Sequence, residues 1–97
     1  MLIPYSFKLG KKQYHVYRYN TPGTTLGQCF PEIQGIRVAT TRNWMPRKPK
    51  DVAETFWHEV THAILHDMGH KLWRDEYFVT EFSKRLNQVI HTARLDQ

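Results

Sequence analysis

The stretch ETFWHEVTHAILHDMGH, residues 54–70, decides how this chain can fold. Its apolar side chains recur every three or four residues, which is the spacing of an amphipathic helix. We predict that this helix begins near Asp51, as N-cap or in the first turn, with Glu54 placed as in a capping box. It should run to about Met68, because Gly69 is a natural residue just beyond a helix C-terminus.

The same helix carries His58-Glu59-Val60-Thr61-His62, an H-E-x-x-H motif. Residues four apart lie on one helix face, about 6 Å apart along the axis, so both imidazoles can reach one Zn²⁺ at about 2.0–2.1 Å. Glu59 would project beside the metal and accept a proton from an activated water. The alternative is a pair of solvated histidines with no metal. A helical wheel places the core-facing residues on the other side: Phe56, Val60, Ala63 and Ile64.

A catalytic zinc site needs a third protein ligand and an open fourth position. His66 lies about 12 Å from His58 along the helix axis and cannot share an ion with it, so we expect His66 to be structural or to support the site indirectly. The remaining candidates are on the last helix: Asp75, Glu76 and Glu81. Glu81 falls nearly opposite the apolar face and should be solvated. Spacing alone leaves Asp75 and Glu76 as alternatives.

The rest of the chain predicts an α+β fold: a small antiparallel sheet of about three strands, followed by the two helices, in one domain spanning residues 1–97. Residues 1–20 alternate and predict a hairpin that turns at residues 10–12. Residues 24–34 should be irregular, because Pro31 argues against a central strand. A third strand is predicted at residues 36–42. The last helix should run from about Asp75 to about Arg94, with an apolar stripe formed by Phe78, Val79, Phe82, Leu86, Val89, Ile90 and Ala93.

Composition limits the class of protein. With 97 residues, 40% hydrophobic and 24% charged, the chain has the balance of one small globular domain, to which a bound metal would add stability. Its single cysteine, Cys29, excludes an internal disulfide and a four-cysteine zinc site, and we expect a packed thiol. We find neither a signal peptide nor a stretch of about 20 apolar residues, and so expect a soluble cytoplasmic protein without a membrane partner.

The net charge of +5 is unevenly distributed. Residues 1–50 hold nine Lys and Arg against the single acid Glu32, whereas residues 51–97 hold five against eight acids. This asymmetry predicts either a surface for nucleic acid or an acidic partner, or simply a solvated basic sheet face. The side chains that would stack on bases and bind phosphates are Tyr14, Tyr17 and Tyr19 with Lys11, Lys12 and Arg18, although such tyrosines are more often ordinary strand residues.

Residues 58–66, HEVTHAILH, resemble the H-E-x-x-H-x-x-L-H signature of the ImmA/IrrE-type gluzincin metallopeptidases, which are often encoded by phages and mobile elements. That family continues with E-x-x-A-N-x-F-A on the next helix. Residues 76–83, EYFVTEFS, are similar, with Val79 and Thr80 replacing the small residue and the asparagine. The wider gluzincin pattern Asn/Asp-Glu-x-x-Ala/Val also matches residues 75–79. The resemblance covers about residues 54–83.

This resemblance implies a minimal zincin-like domain and a zinc-dependent peptidase acting on a protein or peptide in a bacterial or phage-infected cytoplasm. Glu76 would be the third ligand, Thr80 would support it from one turn further on, and Glu59 would be the general base. Residues 36–42 would be the edge strand that pairs with extended substrates. Candidates to stabilise the oxyanion are His70, Arg74, Tyr77 and His91. The alternatives are a zinc site that only stabilises the fold, or a regulatory or nucleic-acid-binding module that uses the basic first half.

Overall fold

The computed structural model describes residues 3–93. Its strands are β1 (Ser6–Leu9), β2 (Lys12–Thr21), β3 (Gly27–Phe30), β4 (Gly35–Arg42) and β5 (Met45–Pro46), its helices are α1 (Pro49–Asp67) and α2 (Glu76–Thr92), and single 3₁₀ turns occupy Pro31–Ile33 and Lys71–Arg74. The α+β class is confirmed. The predicted hairpin is also present, with Gly10 at a φ of 62° between β1 and β2. The predicted helix end at Arg94 lies outside the described residues.

The sheet is mixed and has five strands in the order β1-β2-β4-β3, with β5 paired to β4. The prediction of an antiparallel sheet of about three strands is therefore wrong. β2 and β4 run parallel, with Val16 opposite Ile36, because the intervening segment contains β3 and turns the chain back twice. β3 lies within the segment that was predicted to be irregular. Pro31 does not interrupt this strand, since it opens the 3₁₀ turn that follows.

The strand over residues 36–42 is not at an edge of the sheet, so that prediction is also wrong. β4 lies between β2 and β3, and its Ile36, Val38 and Ala39 are fully buried, as expected for an interior strand. The edge strand next to β4 is β3, and β1 lies at the opposite edge of the sheet. Among the described residues, β4 is the only strand that pairs with β3.

Helix α1 packs across one face of the sheet and forms the core with it. Phe56, Val60 and Ala63 lie in the buried cluster and Ile64 packs against it, so the predicted apolar face of the helix is confirmed. From the sheet, Tyr14 is fully buried and stacks on Phe7 at 5.3 Å. The apolar side of α1 faces the sheet, and its histidine side borders β3 and the beginning of α2.

Helix α1 begins two residues earlier than predicted and without a capping box. Its N-cap is Lys48, with no side-chain cap, and Pro49 occupies the first helical position, which its fixed φ suits. Asp51 therefore lies in the first turn, where a negative charge is favourable. The helix ends at Asp67, one residue before the predicted end, and Gly69 follows at a φ of 65°.

Helix α2 is amphipathic, yet much of its apolar stripe is exposed. It packs mainly against α1 and the turn at Lys71–Arg74, and only Val79 and Ser83 are buried. The exposed fractions of Phe82, Val89 and Ile90 are 48%, 60% and 38%. The periodicity was sufficient to predict a helix, but it could not predict how much of the apolar side of α2 is buried against the rest of the chain. Neither helix within residues 3–93 is long and apolar enough to cross a membrane.

Candidate metal centre

Three side chains from two helices meet at one point on the surface. His58 and His62 project from the same side of α1, and Glu76, the first residue of α2, reaches both of them. The Nε2 atom of His58 lies 3.1 Å from Glu76 Oε2, and the Nε2 atom of His62 lies 3.0 Å from Glu76 Oε1. Across residues 3–93, these three form the only such His, Cys, Asp or Glu cluster, with one potential ligand atom from each within 4.8 Å of the others.

The cluster has the dimensions of a zinc site. Two zinc bonds of about 2.05 Å at the tetrahedral angle place their ligand atoms about 3.3 Å apart. The observed separations of 3.0 and 3.1 Å run to the two different oxygens of Glu76 and are close to that value, and one ligand atom of each residue lies within 4.8 Å of the others. Two imidazole nitrogens and a carboxylate suit Zn²⁺, although other first-row metals accept the same donors. The three residues can therefore hold a metal ion, whose identity the geometry does not fix.

Hydrogen bonding and burial prepare both histidines to be ligands. His62, which is 7% exposed, donates from Nδ1 to the backbone oxygen of Trp73 at 2.6 Å, and this orients Nε2 toward the cluster. Burial, and then the neighbouring His62, lower the pKa of His58, although Glu76 acts in the opposite direction. His58 is therefore neutral at pH 7, which is the form that binds a metal. The Trp73 carbonyl was not predicted, because a backbone acceptor has no signature in sequence.

Glu59 lies beside the cluster, between α1 and β3. Its exposed fraction is 6%, and no hydrogen bond to its side chain is formed within residues 3–93. Burial, and then the negative charge of Glu76, raise its pKa from 4.5 to about 8. A cation bound at the cluster would counter both causes and would therefore lower the pKa of Glu59. The carboxylate is thus poised to exchange a proton near neutral pH.

Gly27 of β3 makes the close approach of β3 to Glu59 possible. A Cβ atom built on Gly27 would lie 2.9 Å from Glu59 Oε2 and 2.7 Å from Thr55 Cγ2. Any larger residue would collide with both side chains. The edge strand therefore passes directly over the carboxylate because residue 27 has no side chain.

Two depressions share Gly27, His58 and Glu59. The smaller, of about 450 Å³, lies over the cluster and is bordered by β3, Trp73 and Arg74. The larger, of about 890 Å³, continues along the first half of α1 to the β4–β5 hairpin. The two depressions together form an open channel that borders the His58, His62 and Glu76 cluster, Glu59 and the first half of α1.

The other predicted ligand candidates lie outside the cluster. Asp75 is the N-cap of α2, and its Oδ1 accepts from the backbone N–H of Phe78 at 2.9 Å. Glu81 pairs with Arg85 at 2.9 Å. His66 packs edge-on against Trp73 at 4.8 Å, which agrees with the structural role predicted for it. Among the described residues, Thr80 makes no side-chain hydrogen bond to the cluster.

Of the four residues named as candidates to stabilise an oxyanion, Arg74 alone borders the smaller depression. Its guanidinium lies over the Trp73 ring at 4.5 Å. His70 caps the turn at Lys71–Arg74 by accepting from the Leu72 N–H, and Tyr77 is 80% exposed. His91 lies near the far end of α2, where its Nδ1 donates to Asn87.

Cys29 is a packed, half-buried thiol, as predicted, although it also borders the smaller depression. Burial, and then the charge of Glu59, raise its pKa to about 12. Cys29 is not among the three residues whose ligand atoms converge in the described part of the chain.

Comparison with known proteins gives no identification: the chain matches no protein-family model, no curated protein and no solved structure. The similarity to the ImmA/IrrE-type metallopeptidases therefore stays a prediction that depends on the motif residues.

Proposed function

We propose that this chain is a zinc-dependent metallopeptidase that hydrolyses peptide bonds in an endopeptidase-like manner. The observation that carries this proposal is the juxtaposition of the His58, His62 and Glu76 cluster with a buried, unpaired Glu59 in an open depression. A site that only stabilised the fold would need the three ligands but would have no use for the Glu59 carboxylate in the same depression.

In this proposal His58, His62 and Glu76 hold Zn²⁺. When bound, zinc lowers the pKa of a water molecule toward 7 and polarises the carbonyl of the peptide bond. Glu59 accepts the proton of the attacking water and then delivers it to the leaving amine, so that the C–N bond breaks without releasing a free amide anion. The Glu59 carboxylate borders the same depression as His58, His62 and Glu76, which is where both transfers would take place.

The proposed substrate is an extended polypeptide that pairs with the free edge of β3. In this mode the main chain of the substrate hydrogen-bonds to Gly27–Phe30 and runs over the cluster, as in other cases of strand addition. In this proposal β3 is the edge strand that pairs with the substrate, whereas the resemblance implied that residues 36–42 would be that strand. Arg74, at the border of the same depression, is the side chain best located to stabilise charge on the carbonyl oxygen.

Metal analysis of purified variants tests the ligand set. We expect about one zinc per wild-type chain, and loss of that zinc in both His58→Ala and Glu76→Ala. Asp75→Ala is the matched control, because it removes the adjacent carboxylate and a helix cap but no proposed ligand. Peptide cleavage should follow zinc content across the series. Full zinc retention in Glu76→Ala would contradict the proposal.

The alternative in which zinc only stabilises the fold has one observation in its favour. The cluster joins the beginning of α2 to α1, and α2 has only two buried residues of its own. A zinc that serves only this purpose predicts that Glu59→Gln has no effect on function, whereas His58→Ala unfolds the protein.

The alternative that this chain binds nucleic acid stays a prediction. Fewer of its candidate side chains are free to contact bases or phosphates than the sequence suggested. Tyr14 is buried, Arg18 lies over the Tyr5 ring, and Lys12 pairs with Asp67 at 3.3 Å. Tyr17, 54% exposed, is still available for stacking. Salt-dependent binding to DNA or RNA would support this alternative.

A further inference from the structure

The larger depression, which we call the cationic cleft, is lined at its far end by three basic side chains: Arg42, Arg47 and Lys48. We propose that this end of the cleft is a subsite for an acidic side chain of the substrate, located two or three residues from the bond that is cleaved. The inference rests on the proposed function and assigns a substrate class to it.

Arg47 is the fixed element of the subsite. Its side chain is half-buried, with Nη1 donating to the backbone oxygen of Ala39 at 2.6 Å and Nη2 donating to Thr55 Oγ1 at 3.0 Å. Both acceptors are neutral, and within residues 3–93 no carboxylate lies within 4.0 Å of its guanidinium. Arg47 is therefore held in place while its charge has no close counter-ion, an arrangement that favours a carboxylate ligand.

Arg42 and Lys48 add two exposed cations at the rim, and neither forms an ion pair within the described part of the chain. Two acids, Asp51 and Glu54, also line the cleft. Asp51 lies in the first turn of α1, where its charge favours the helix N-terminus, and Glu54 is exposed. The charge of Asp51 acts on Arg47, whose Nη2 also donates to the Asp51 backbone oxygen at 3.4 Å, but neither acid forms an ion pair with the three cations within residues 3–93. Three cations against two acids leave the far end of the cleft with an excess of one positive charge.

Elsewhere, several cations of the first half of the chain have partners. The Arg37 guanidinium lies 4.2 Å from the centre of the Tyr19 ring, and the Arg18 guanidinium lies 4.1 Å from that of Tyr5 and donates to the Ile3 carbonyl. Lys12 pairs with Asp67. The acidic partner that the charge asymmetry predicts is therefore better matched by the cleft than by the sheet face.

The distance between this subsite and Glu59 fits a peptide. Thr55, which anchors Arg47, lies one helical turn before Glu59, about 6 Å along the axis of α1. An extended peptide advances about 3.3 Å per residue. A side chain that reaches Arg47 therefore belongs to a residue about two or three positions from the bond held beside Glu59.

Peptide binding to zinc-loaded Glu59→Gln, which should bind without cleaving, tests this subsite. A fluorescent peptide scanned with Asp, Asn or Lys at each position, measured by anisotropy at low salt, should bind about tenfold more tightly with Asp at one position. Arg42→Glu and Lys48→Glu should each weaken this preference, because they replace a rim cation by an anion while Arg47 stays in place. Lys84→Glu, which changes an exposed cation on α2 outside the cleft, is the matched control and should leave the preference unchanged.

Equal binding of the Asp and Lys peptides, or a preference for Asp that neither charge reversal weakens, would overturn the subsite. The proposed function can fail independently of the subsite. If acidic peptides bind in the cleft but the wild type never cleaves them, the subsite is supported and the proposed peptidase activity is contradicted. Cleavage of peptides without any preference for an acidic side chain would support the peptidase activity and contradict the subsite.

Discussion

At the scale of single residues, Glu59 combines burial, a nearby negative charge and the absence of a hydrogen-bond partner in the described chain. Its folded-state pKa of about 8 lies above the ordinary value of 4.5, so the folded state binds the proton more tightly than the unfolded state does. The contribution of protonated Glu59 to the free energy of unfolding of the metal-free protein is fully present below pH 4.5. This contribution is lost as the pH rises toward 8.

We therefore expect Glu59→Gln to stabilise the metal-free protein at alkaline pH. The gain should be absent below pH 4.5 and should grow to a few kcal/mol above pH 8, since each pKa unit corresponds to about 1.4 kcal/mol. Urea denaturation of both proteins with a chelator, across this pH range, measures the difference. Glu81→Gln is the control, because that carboxylate is paired with Arg85 and should show no such gain. A Glu59→Gln difference that does not change with pH would contradict the expectation.

Gly27 provides a second prediction at this scale. In Gly27→Ala the new methyl would meet Thr55 Cγ2 at 2.7 Å, and the backbone oxygen of Arg37 at 3.1 Å, which cannot rotate away. Strand β3 must then move from α1, at a cost of about 1–3 kcal/mol in unfolding free energy. Gly23→Ala is the matched control, since nothing lies within 4 Å of its added Cβ. Thermal or urea unfolding that gives equal stability for the two variants would show that β3 can be displaced freely.

At the scale of elements, the β4–β5 hairpin contains backbone strain. Asn43 and Trp44 have φ values of 49° and 64°. Asparagine adopts this region readily, but a tryptophan does so rarely, and the Trp44 side chain is 81% exposed. Asn20 Oδ1 holds the turn by accepting from the Trp44 N–H at 2.7 Å. The tryptophan loses little water contact on folding, so its burial does not offset the strain.

Replacing Trp44 by glycine should therefore stabilise the protein by about 0.5–1 kcal/mol, because glycine adopts this conformation without a steric penalty. Chemical denaturation of the two proteins measures this. Met45→Gly is the control: it also removes an exposed apolar side chain, but at a position without a positive φ, and should not stabilise. A loss of stability in Trp44→Gly would show that the exposed ring makes contacts that the isolated chain does not reveal.

The elements also show what the sequence could predict. Helix α1 was predictable because the repeat of Phe56, Val60 and Ala63 is local, and the same repeat fixed which side carries the histidines. The parallel pairing of β2 with β4 was not, because it depends on contacts between residues about twenty apart, such as Val16 and Ile36. β3 is only four residues long and contains Gly27, so it gives almost no alternation to recognise. Spacing alone could not choose between Asp75 and Glu76, since that choice depends on where α2 begins relative to α1.

At the scale of the whole molecule, one sheet face is covered by α1, and α2 is attached to the far side of α1. The cluster joins the two helices, so a metal bound there should stabilise the arrangement. At a free zinc concentration of 100 times Kd, the folded state gains about 2.7 kcal/mol, which corresponds to a rise in Tm of about 10 °C or more for a domain of this size.

This gain is measurable by thermal unfolding with and without zinc. It should disappear in Glu76→Gln, which keeps the size of the side chain but removes the anionic ligand, and persist in Glu81→Gln, which changes an acid outside the cluster. An equal zinc-dependent rise in Tm for Glu76→Gln and wild type would indicate that zinc binds elsewhere.

The central claim is that a metal held by His58, His62 and Glu76 serves a hydrolysis in which Glu59 transfers the proton. The most direct measurement compares peptide cleavage by zinc-loaded wild type and Glu59→Gln at equal zinc content, with a mixed peptide library read by mass spectrometry. We predict cleavage by the wild type and a rate about 10²–10⁴-fold lower in Glu59→Gln. Equal rates in the two proteins, or no cleavage of any peptide by the zinc-loaded wild type, would contradict it.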